Sequence, residues 1–456
     1  MSNVLLITYM FPPGGGIGTP RALAYTKYLP LQGCRLSVLS PTNPALRDYD
    51  PELCKLVPSN IVVHRAWNPE LPISLRDRIW KTTARPAAHG REATISKPGA
   101  VRKSFRWLAQ HILFPDPQAT WVPLAFRKAC SIVDREAIDS VVVNVPPFSI
   151  LKVGIALKRK FPHLKLICDF RDDWVGYYLK QIDHPSGEKI RRAQELEAEA
   201  VDVSSYVSTV TEQWVNQMRS RYPRQPASKF ICTPNGYDPE MFRDFSSRSP
   251  AGEKMVVTYF GTVHNNRIYS PDNYLDAIET LPDELRTQIE TRFIGRVVRD
   301  AEPSLRRTRT TVHRLGFMPK LQGIRYLQET DFVLLIATDP GSHAGKLFDY
   351  LGSGKPILAL SPPGGEIDRL LQRTRSGWCA DPWDKKAIQQ MIVFAYQRLK
   401  QGGGIIHPDD DAVQTYAWPN VFANFAIAAG FSPAANINKL RSGNSTNAAK
   451  ARVTQG

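Results

Sequence analysis

Cysteine is scarce and scattered. Cys34, Cys54, Cys130, Cys168, Cys232 and Cys379 contain no C-x-x-C pair. The spacing therefore argues against a disulfide framework or a zinc site, and a reducing cytoplasm is the expected setting. Apolar runs stay under ten residues, so no segment reads as a membrane-spanning helix. The opening MSNVLLITYMF lacks a basic stretch ahead of its apolar run and a small-residue cleavage site. It reads as a first strand rather than a signal peptide. Acidic residues are the minority charge: 43 Asp and Glu face 59 Lys and Arg, giving a formal net charge of +16. That balance favours anionic partners, whether nucleotides, nucleic acid or an acidic membrane surface, and does not choose between them.

What is present is the composition of an ordinary globular protein, 42% apolar and 22% charged. At 456 residues the chain is too long for one core, and two or three domains are expected. Short buried strands alternate with helices. Asn3 to Tyr9, Arg35 to Ser40, 60–65, 141–145, 164–169, 206–210 and 229–233 read as strands of a first round. After a polar stretch at 239–253, which suits a linker, the alternation restarts at Val256. Two such rounds predict an α/β chain of two Rossmann-like, doubly wound domains. The expected bounds are 1–240 and 252–410, followed by a helix over 411–430. The Asn-, Ser-, Ala- and Lys-rich tail 432–456 is expected to be disordered.

The densest signal is Asp331 to Leu360, DFVLLIATDPGSHAGKLFDYLGSGKPILAL. Phe332 to Ala337 predicts a buried strand. A loop through Gly341, Ser342, His343 and Gly345 follows, then a short helix from Lys346 stopped by Gly352 and Gly354, then a second strand. Ligands of such sheets sit outside the carboxyl ends of the strands. A helix amino terminus there offers unpaired N–H groups to an anion. Lys346 lies in the first turn, where its charge opposes the helix dipole, so an anionic ligand facing it is the functional reading and a solvated lysine the plain one. Asp349, one turn on, can accept both hydroxyls of a ribose.

FPPGGGIG follows the first strand. Gly14 and Gly16 fit the start of G-x-G-x-x-G, but Thr19 stands at the third position, and Leu39-Ser40-Pro41 supplies no acidic residue for a ribose. No Gly-Lys-Ser/Thr follows either. What remains is a bare loop that can approach a phosphate or sugar closely, with Arg21 one turn into the next helix. DFRDDW (169–174) places three carboxylates and a guanidinium at the end of a buried strand. Asp169 could simply brace Arg171, while Arg171 and Asp172 are the candidates for contact with reacting groups. Arg267, in the loop after the second round's first strand, suits a diphosphate.

Residues 65–110 carry ten Lys/Arg against Glu70, Asp77 and Glu92. Val101, Phe105, Leu108 and Ile112 repeat at helical spacing opposite Arg102, Lys103 and Arg106. With Trp80 and Trp107 nearby, the stretch 65–114 fits an amphipathic helix lying on an anionic membrane surface.

Taken together, FPPGGGIGTPRALAYTKYLP, VPPF with DFRDDW, PNGYDPEMF and GKLFDYLGSGKPIL resemble the GT-B glycosyltransferases, and among them the family-four retaining enzymes. The match runs from Val4 to about Ala428. It implies two domains facing across a cleft, a last helix crossing back to the first domain, and a nucleotide-sugar donor, most simply a UDP-sugar, used without a metal. It also implies a donor set of Gly14, Gly15, Gly16, Arg21, Arg267, Arg296, Phe317, Gly345, Lys346 and Asp349, with Arg171 and Asp172 near the reacting carbon. Two positions depart from the family pattern. Its diphosphate-clamping Arg and Lys fall on Thr262 and Arg267, and its paired glutamates on Gly341 and Asp349. The implied acceptor is a saccharide or lipid-linked one docking near residues 66–120. Competing readings are a nucleotide-sugar epimerase of the same fold and a catalytically degenerate nucleotide binder. A nucleic-acid binder would rest on net charge alone, since no recognised module supports it.

Overall fold

A computed structural model describes residues 1–16, 18–46, 49–70, 113–179, 187–245, 253–265, 269–402 and 406–431. The chain divides into two compact units. Unit 1 comprises Met1–Thr209, Val215–Cys232 and the chain from Phe422 onward; unit 2 comprises Val210–Trp214 and Thr233–Val421.

Unit 1 is built on strands β1 (Ser2–Thr8), β2 (Cys34–Pro41), β3 (Val62–Ala66), β4 (Ser140–Val145), β5 (Lys165–Phe170), β6 (Tyr206–Thr209) and β7 (Phe230–Cys232). They form one parallel sheet in the order β3-β2-β1-β4-β5-β6-β7. The strands read as continuous apolar runs because helices cover both faces. Val4, Leu5, Leu6 and Ile7 of β1 are all fully buried. The helices are α1 (Thr19–Tyr28), α2 (Val122–Arg135), α3 (Leu151–Lys160), α4 (Gly187–Val203) and, from Val215 onward, α5 (Glu212–Arg221).

Unit 2 carries β8 (Met255–Phe260), β9 (Ile289–Ile294), β10 (Thr311–Gly316), β11 (Phe332–Ile336), β12 (Ile357–Leu360) and β13 (Gly377–Ala380), parallel in the order β10-β9-β8-β11-β12-β13. Its helices are α6 (Asp272–Glu279), α7 (Asp283–Arg286), α8 (Glu302–Arg307), α9 (Lys320–Tyr326), α10 (Gly345–Ser353), α11 (Glu366–Thr374), α12 (Lys385–Gln401) and α13 (Asp410–Gln414). In both sheets the strand order reverses beside the first strand: between β1 and β4 in unit 1, between β8 and β11 in unit 2. Such reversals open the crevices where open α/β sheets take ligands. The loops that flank them are therefore the Gly14 and VPPF loops in one unit, and the Gly261 and Gly341–Gly345 loops in the other.

The single helix expected over 411–430 is broken. Tyr237 N–H donates to the Tyr416 carbonyl at 3.1 Å, and Trp418 N–H donates to the Tyr237 carbonyl at 2.9 Å. This pairing takes Tyr416 and Ala417 out of the helical ladder, and Pro419 then suits the first turn of α14 (Trp418–Ala428). From Phe422 the helix belongs to unit 1. Phe422 and Phe425 meet the Tyr25 ring edge-on at 4.6 and 5.6 Å, and Lys165 Nζ donates to the carbonyls of Ala429 and Gly430. Among the described residues no helix is long and apolar enough to cross a membrane. The amphipathic pattern at 101–112 and the tail 432–456 lie outside the described residues, as does Arg267.

Candidate functional site

In unit 2 the predicted residues gather at the carboxyl end of the sheet. Strand β11 ends at Ile336, and the loop that follows delivers the amino terminus of α10. Ala344, its N-cap, is extended, and no side chain caps the helix. The amides of Gly345 and Lys346 make no hydrogen bond among the described residues. Tyr350 holds the helix in place: its hydroxyl donates to the Leu334 carbonyl at 3.2 Å and accepts from Phe260 N–H at 2.8 Å. One buried phenol thus fixes α10 against the end of β8 and the middle of β11.

Lys346 is not a solvated lysine. Its ammonium lies over the Tyr259 ring, 3.7 Å from the centroid. No carboxylate pairs with it among the described residues. Burial lowers its pKa to about 7. The close approach requires glycine at position 261, where a Cβ would stand 3.0 Å from Nζ and where φ is +145°. Gly295, φ +142°, is needed in turn, since a Cβ there would overlap the Gly261 carbonyl oxygen. The chain of contacts Gly295, Gly261, Lys346 brings the turn after β9 to the same place. There Arg296 lies over the exposed ring of Phe317, 5.0 Å from its centroid.

Asp349, the ribose candidate, forms an ion pair with Lys320 at 2.9 Å, its side chain mostly buried. Gly341 stands where the resembling family carries a glutamate. A Cβ at Gly341 would come within 2.8 Å of Trp214 Nε1 and 3.2 Å of Gln213 Nε2. Thr211 Oγ1 donates to the Gly341 carbonyl at 3.0 Å. The position is filled from behind and has no room for a side chain. Thr262, in the other altered position, is exposed, and its carbonyl accepts from the Tyr259 hydroxyl at 3.1 Å.

Tyr259, Lys320, His264 and His343 were not anticipated. Tyr259 sits near the end of a mostly apolar strand, two residues ahead of Gly261, the one sequence cue for a functional aromatic there. His264 has its pKa lowered by burial and by the charge of Lys346. His343 is buried, with its ring 5.6 Å from Phe348 edge-on, Nε2 3.7 Å from Glu366, and no hydrogen bond on either nitrogen. Burial pushes its pKa down to about 4, so it is neutral at pH 7.

In unit 1 the glycine loop leaves β1 through Phe11. Gly14 N–H donates to the Phe11 carbonyl at 2.9 Å, and Thr19 Oγ1 donates to the Gly14 carbonyl at 2.9 Å. Arg65 clasps the loop, with Nη1 on the Pro41 carbonyl at 3.1 Å and Nη2 on that of Pro12. Arg21 is engaged by Asp169. Its Nε and Nη2 each donate to Asp169 at 2.7 Å, and Tyr25 donates to the same carboxylate at 3.0 Å. Both partners are fully buried. Asp169 therefore braces Arg21, not Arg171. Arg171 is 9% exposed and turns the other way. Nε reaches the Val145 carbonyl at 3.3 Å and Nη2 that of Pro146 at 2.9 Å. Asp172 is half-buried beside it, while Asp173 is engaged by Arg221 at 2.9 Å. Of the DFRDDW charges, two are taken up inside the unit and Arg171 is left at the loop.

No family model matches the sequence, and no curated relative does. Solved structures match its fold. Sucrose-phosphate synthase from Thermosynechococcus elongatus superposes with a TM-score of 0.61 at 12% identity, over 94% of this chain and 98% of its own. Anabaena HepE in complex with UDP and glucose gives 0.53 at 15%, over 98% and 100%. A putative UDP-N-acetylglucosamine 2-epimerase from Listeria monocytogenes gives 0.53 at 10%, over 94% and 96%. The chain has the two-domain GT-B fold.

Proposed function

We propose that the protein is a glycosyltransferase that moves a sugar from a nucleoside-diphosphate sugar, most simply a UDP-sugar, to an acceptor. The observation that carries this reading is Lys346: a half-buried cation without a carboxylate partner among the described residues, in the first turn of an uncapped helix, at the strand-order reversal of unit 2. A buried charge without a partner is costly, and a diphosphate would offset that cost while using the two unpaired amides. In transfer, negative charge grows on the leaving diphosphate as the glycosidic bond breaks. Lys346 and the amides of Gly345 and Lys346 are aimed at that charge in advance, which is the electrostatic route to rate enhancement. Arg267, close in sequence to this loop, is proposed to share the diphosphate. The Arg296–Phe317 pair is proposed to bind the nucleobase side, and Asp349, oriented by Lys320, the ribose hydroxyls. Retention of anomeric configuration follows from the family-four resemblance and belongs to the same proposal.

Calorimetry with UDP, GDP, ADP and TDP, followed by product analysis with the matching sugar donors, tests it. A nucleoside diphosphate should bind in the micromolar range, and Lys346→Ala should weaken it at least tenfold. Absence of binding by all four would overturn the reading. A product formed from donor alone, with inverted stereochemistry at one sugar carbon, would identify an epimerase instead. For the acceptor we propose a saccharide or lipid-linked species, met near an anionic membrane surface through residues 65–114. Liposome flotation that ignores anionic lipid content would remove that part.

A further inference from the structure

A cavity of about 220 Å³ lies at the other end of α10 from Lys346, and all of its lining belongs to unit 2. Lys355 and Ser376 line it just before β12 and β13. It therefore sits at the amino ends of these strands, whereas the Gly341–Gly345 loop leaves the carboxyl end of β11. One side is the carboxyl terminus of α10. Gly354, at φ +63°, closes that helix by donating to the Leu351 carbonyl at 3.1 Å. The carbonyls of Gly352 and Ser353 accept no hydrogen bond among the described residues. Another side is aromatic. Tyr237 and Phe245 line the cavity, linked through Phe242 at ring distances of 6.1 and 5.8 Å. A Cβ on Gly352 would stand 2.5 Å from Phe242 and 2.7 Å from Tyr237, so glycine lets these rings pack onto the helix end. Asp410 adds a carboxylate. Its neighbour Asp409 caps α13 by accepting from Ala412 N–H at 3.0 Å. Asp410 is left without a hydrogen bond or ion pair among the described residues. Burial and the charge of Asp410 together push the Tyr237 phenol up to about 12, so carboxylate and ring are close.

These features share one sign. A helix carboxyl terminus is the negative end of its dipole, unfilled carbonyls and a carboxylate accept hydrogen bonds, and aromatic rings attract cations. An anion would meet the wrong end of α10. A metal ion would find a single carboxylate, and no group of three His, Cys, Asp or Glu suited to a metal occurs among the described residues. The one cation in the lining, Lys355, is already engaged. Its Nζ donates to the Gln328 carbonyl at 3.1 Å, and Asp331 offsets its charge; neither partner lines the cavity. The volume equals that of roughly seven waters, enough for a small organic molecule. We propose that the cavity is a binding site for a small primary amine in its ammonium form. Its three N–H groups match the Gly352 and Ser353 carbonyls and the Asp410 carboxylate, and its apolar part packs on Tyr237 and Phe245. The site is separate from the one read as the donor's and does not depend on that reading.

The test is calorimetry of the full chain with three matched probes: benzylammonium, benzyl alcohol without the charge, and benzyltrimethylammonium without the N–H donors. Benzylammonium should bind, and each of the other two about tenfold more weakly, the scale of one lost charged hydrogen bond. Asp410→Asn, an exposed position, should weaken benzylammonium by about tenfold as well. Phe245→Leu should weaken it less, by about threefold, as the loss of one ring does. Both variants should keep the wild-type thermal midpoint, and Lys346→Ala should bind benzylammonium like wild type. Benzyl alcohol binding as tightly as benzylammonium would make the cavity a mere apolar crevice and overturn the proposal. Equal binding of benzyltrimethylammonium would exclude the helix-end carbonyls and overturn it too. So would unchanged benzylammonium affinity in folded Asp410→Asn, loss of that affinity in Lys346→Ala, or no binding of benzylammonium by the wild type. UDP binding, present or absent, is read in a separate titration and decides only the donor reading.

Discussion

The ammonium of Lys346 rests 3.7 Å from the centre of the Tyr259 ring, with no carboxylate partner. The ring face supplies part of what water would have given, roughly 0.5–2 kcal/mol for a desolvated cation–π contact, and leaves the charge available to a ligand. Replacing Lys346 with Met keeps the length and apolar bulk but removes the charge. The fold should be as stable as wild type or more so. Nucleoside-diphosphate affinity should fall by about 1–3 kcal/mol, the scale of a charged hydrogen bond. Differential scanning calorimetry and binding calorimetry on the same preparation give both numbers. Loss of stability together with unchanged affinity would make Lys346 a structural residue.

Protonation of Lys346 gives a pH dependence of definite sign. Its pKa is lowered to about 7 by burial, against 10.5 for an exposed lysine. An anion bound against it favours the charged form and raises that pKa again. Above pH 7 the protein must therefore take up a proton to bind, and affinity should decline with rising pH, by at most about tenfold per unit. Proton uptake is measurable directly, as a binding enthalpy that varies with buffer ionisation enthalpy at pH 8. Stability runs the opposite way. Between pH 7 and 10.5 the unfolded chain holds more protons at this site, so this lysine makes stability rise with pH, by at most about 1.4 kcal/mol per unit. Lys346→Met should flatten both slopes.

Gly341 bears on whether the missing glutamate of the resembling family could be restored. A side chain there meets Trp214 Nε1 at 2.8 Å and Gln213 at 3.2 Å from its Cβ onward. Gly341→Glu should thus destabilise by about 1–3 kcal/mol, as overpacking does, and should not raise turnover. A higher turnover with an unchanged thermal midpoint would mean that the loop opens readily enough to accept the carboxylate.

Much of the architecture was legible because parallel strands buried on both faces announce themselves as short apolar runs. Phe332 to Ile336 and Met255 to Phe260 were placed to within a residue or two. Edge strand β13 escaped notice because Gly377–Ala380 is only four residues long and half of it is Gly and Ala. Helix α2 was missed between the irregular basic stretch and β4. At the candidate site, position in sequence pointed to Gly345, Lys346 and the glycine loop, since each lies in the connection from a strand to the next helix. It could not tell which charge pairs with which. DFRDDW was read as one cluster, whereas folding divides it: Asp169 goes to Arg21, Asp173 to Arg221, and Arg171 to backbone carbonyls beside Gly18. Such partners are set by the order of strands in the sheet, and that order is not a local property of the chain.

The Arg21–Asp169 pair shows what this division costs and holds together. The two residues are 148 positions apart, one in the helix after β1 and the other at the end of β5. Their bidentate contact, with Tyr25 on the same carboxylate, ties α1 across the sheet. Removing one partner strands the other as a buried charge, so Arg21→Met or Asp169→Leu alone should destabilise by about 3–5 kcal/mol. The double variant removes both charges and should recover a large part of that loss, since an apolar pair of similar volume is often as stable as a buried ion pair. Arg21 holds α1, and through it Gly18, whose Cα face packs against the Arg171 guanidinium. Nucleoside-diphosphate affinity in the folded double variant should therefore match wild type. Urea unfolding of the four proteins gives the coupling energy, and binding calorimetry on the double variant decides the role. A tenfold loss of affinity in a stable double variant would put Arg21 back in contact with the donor.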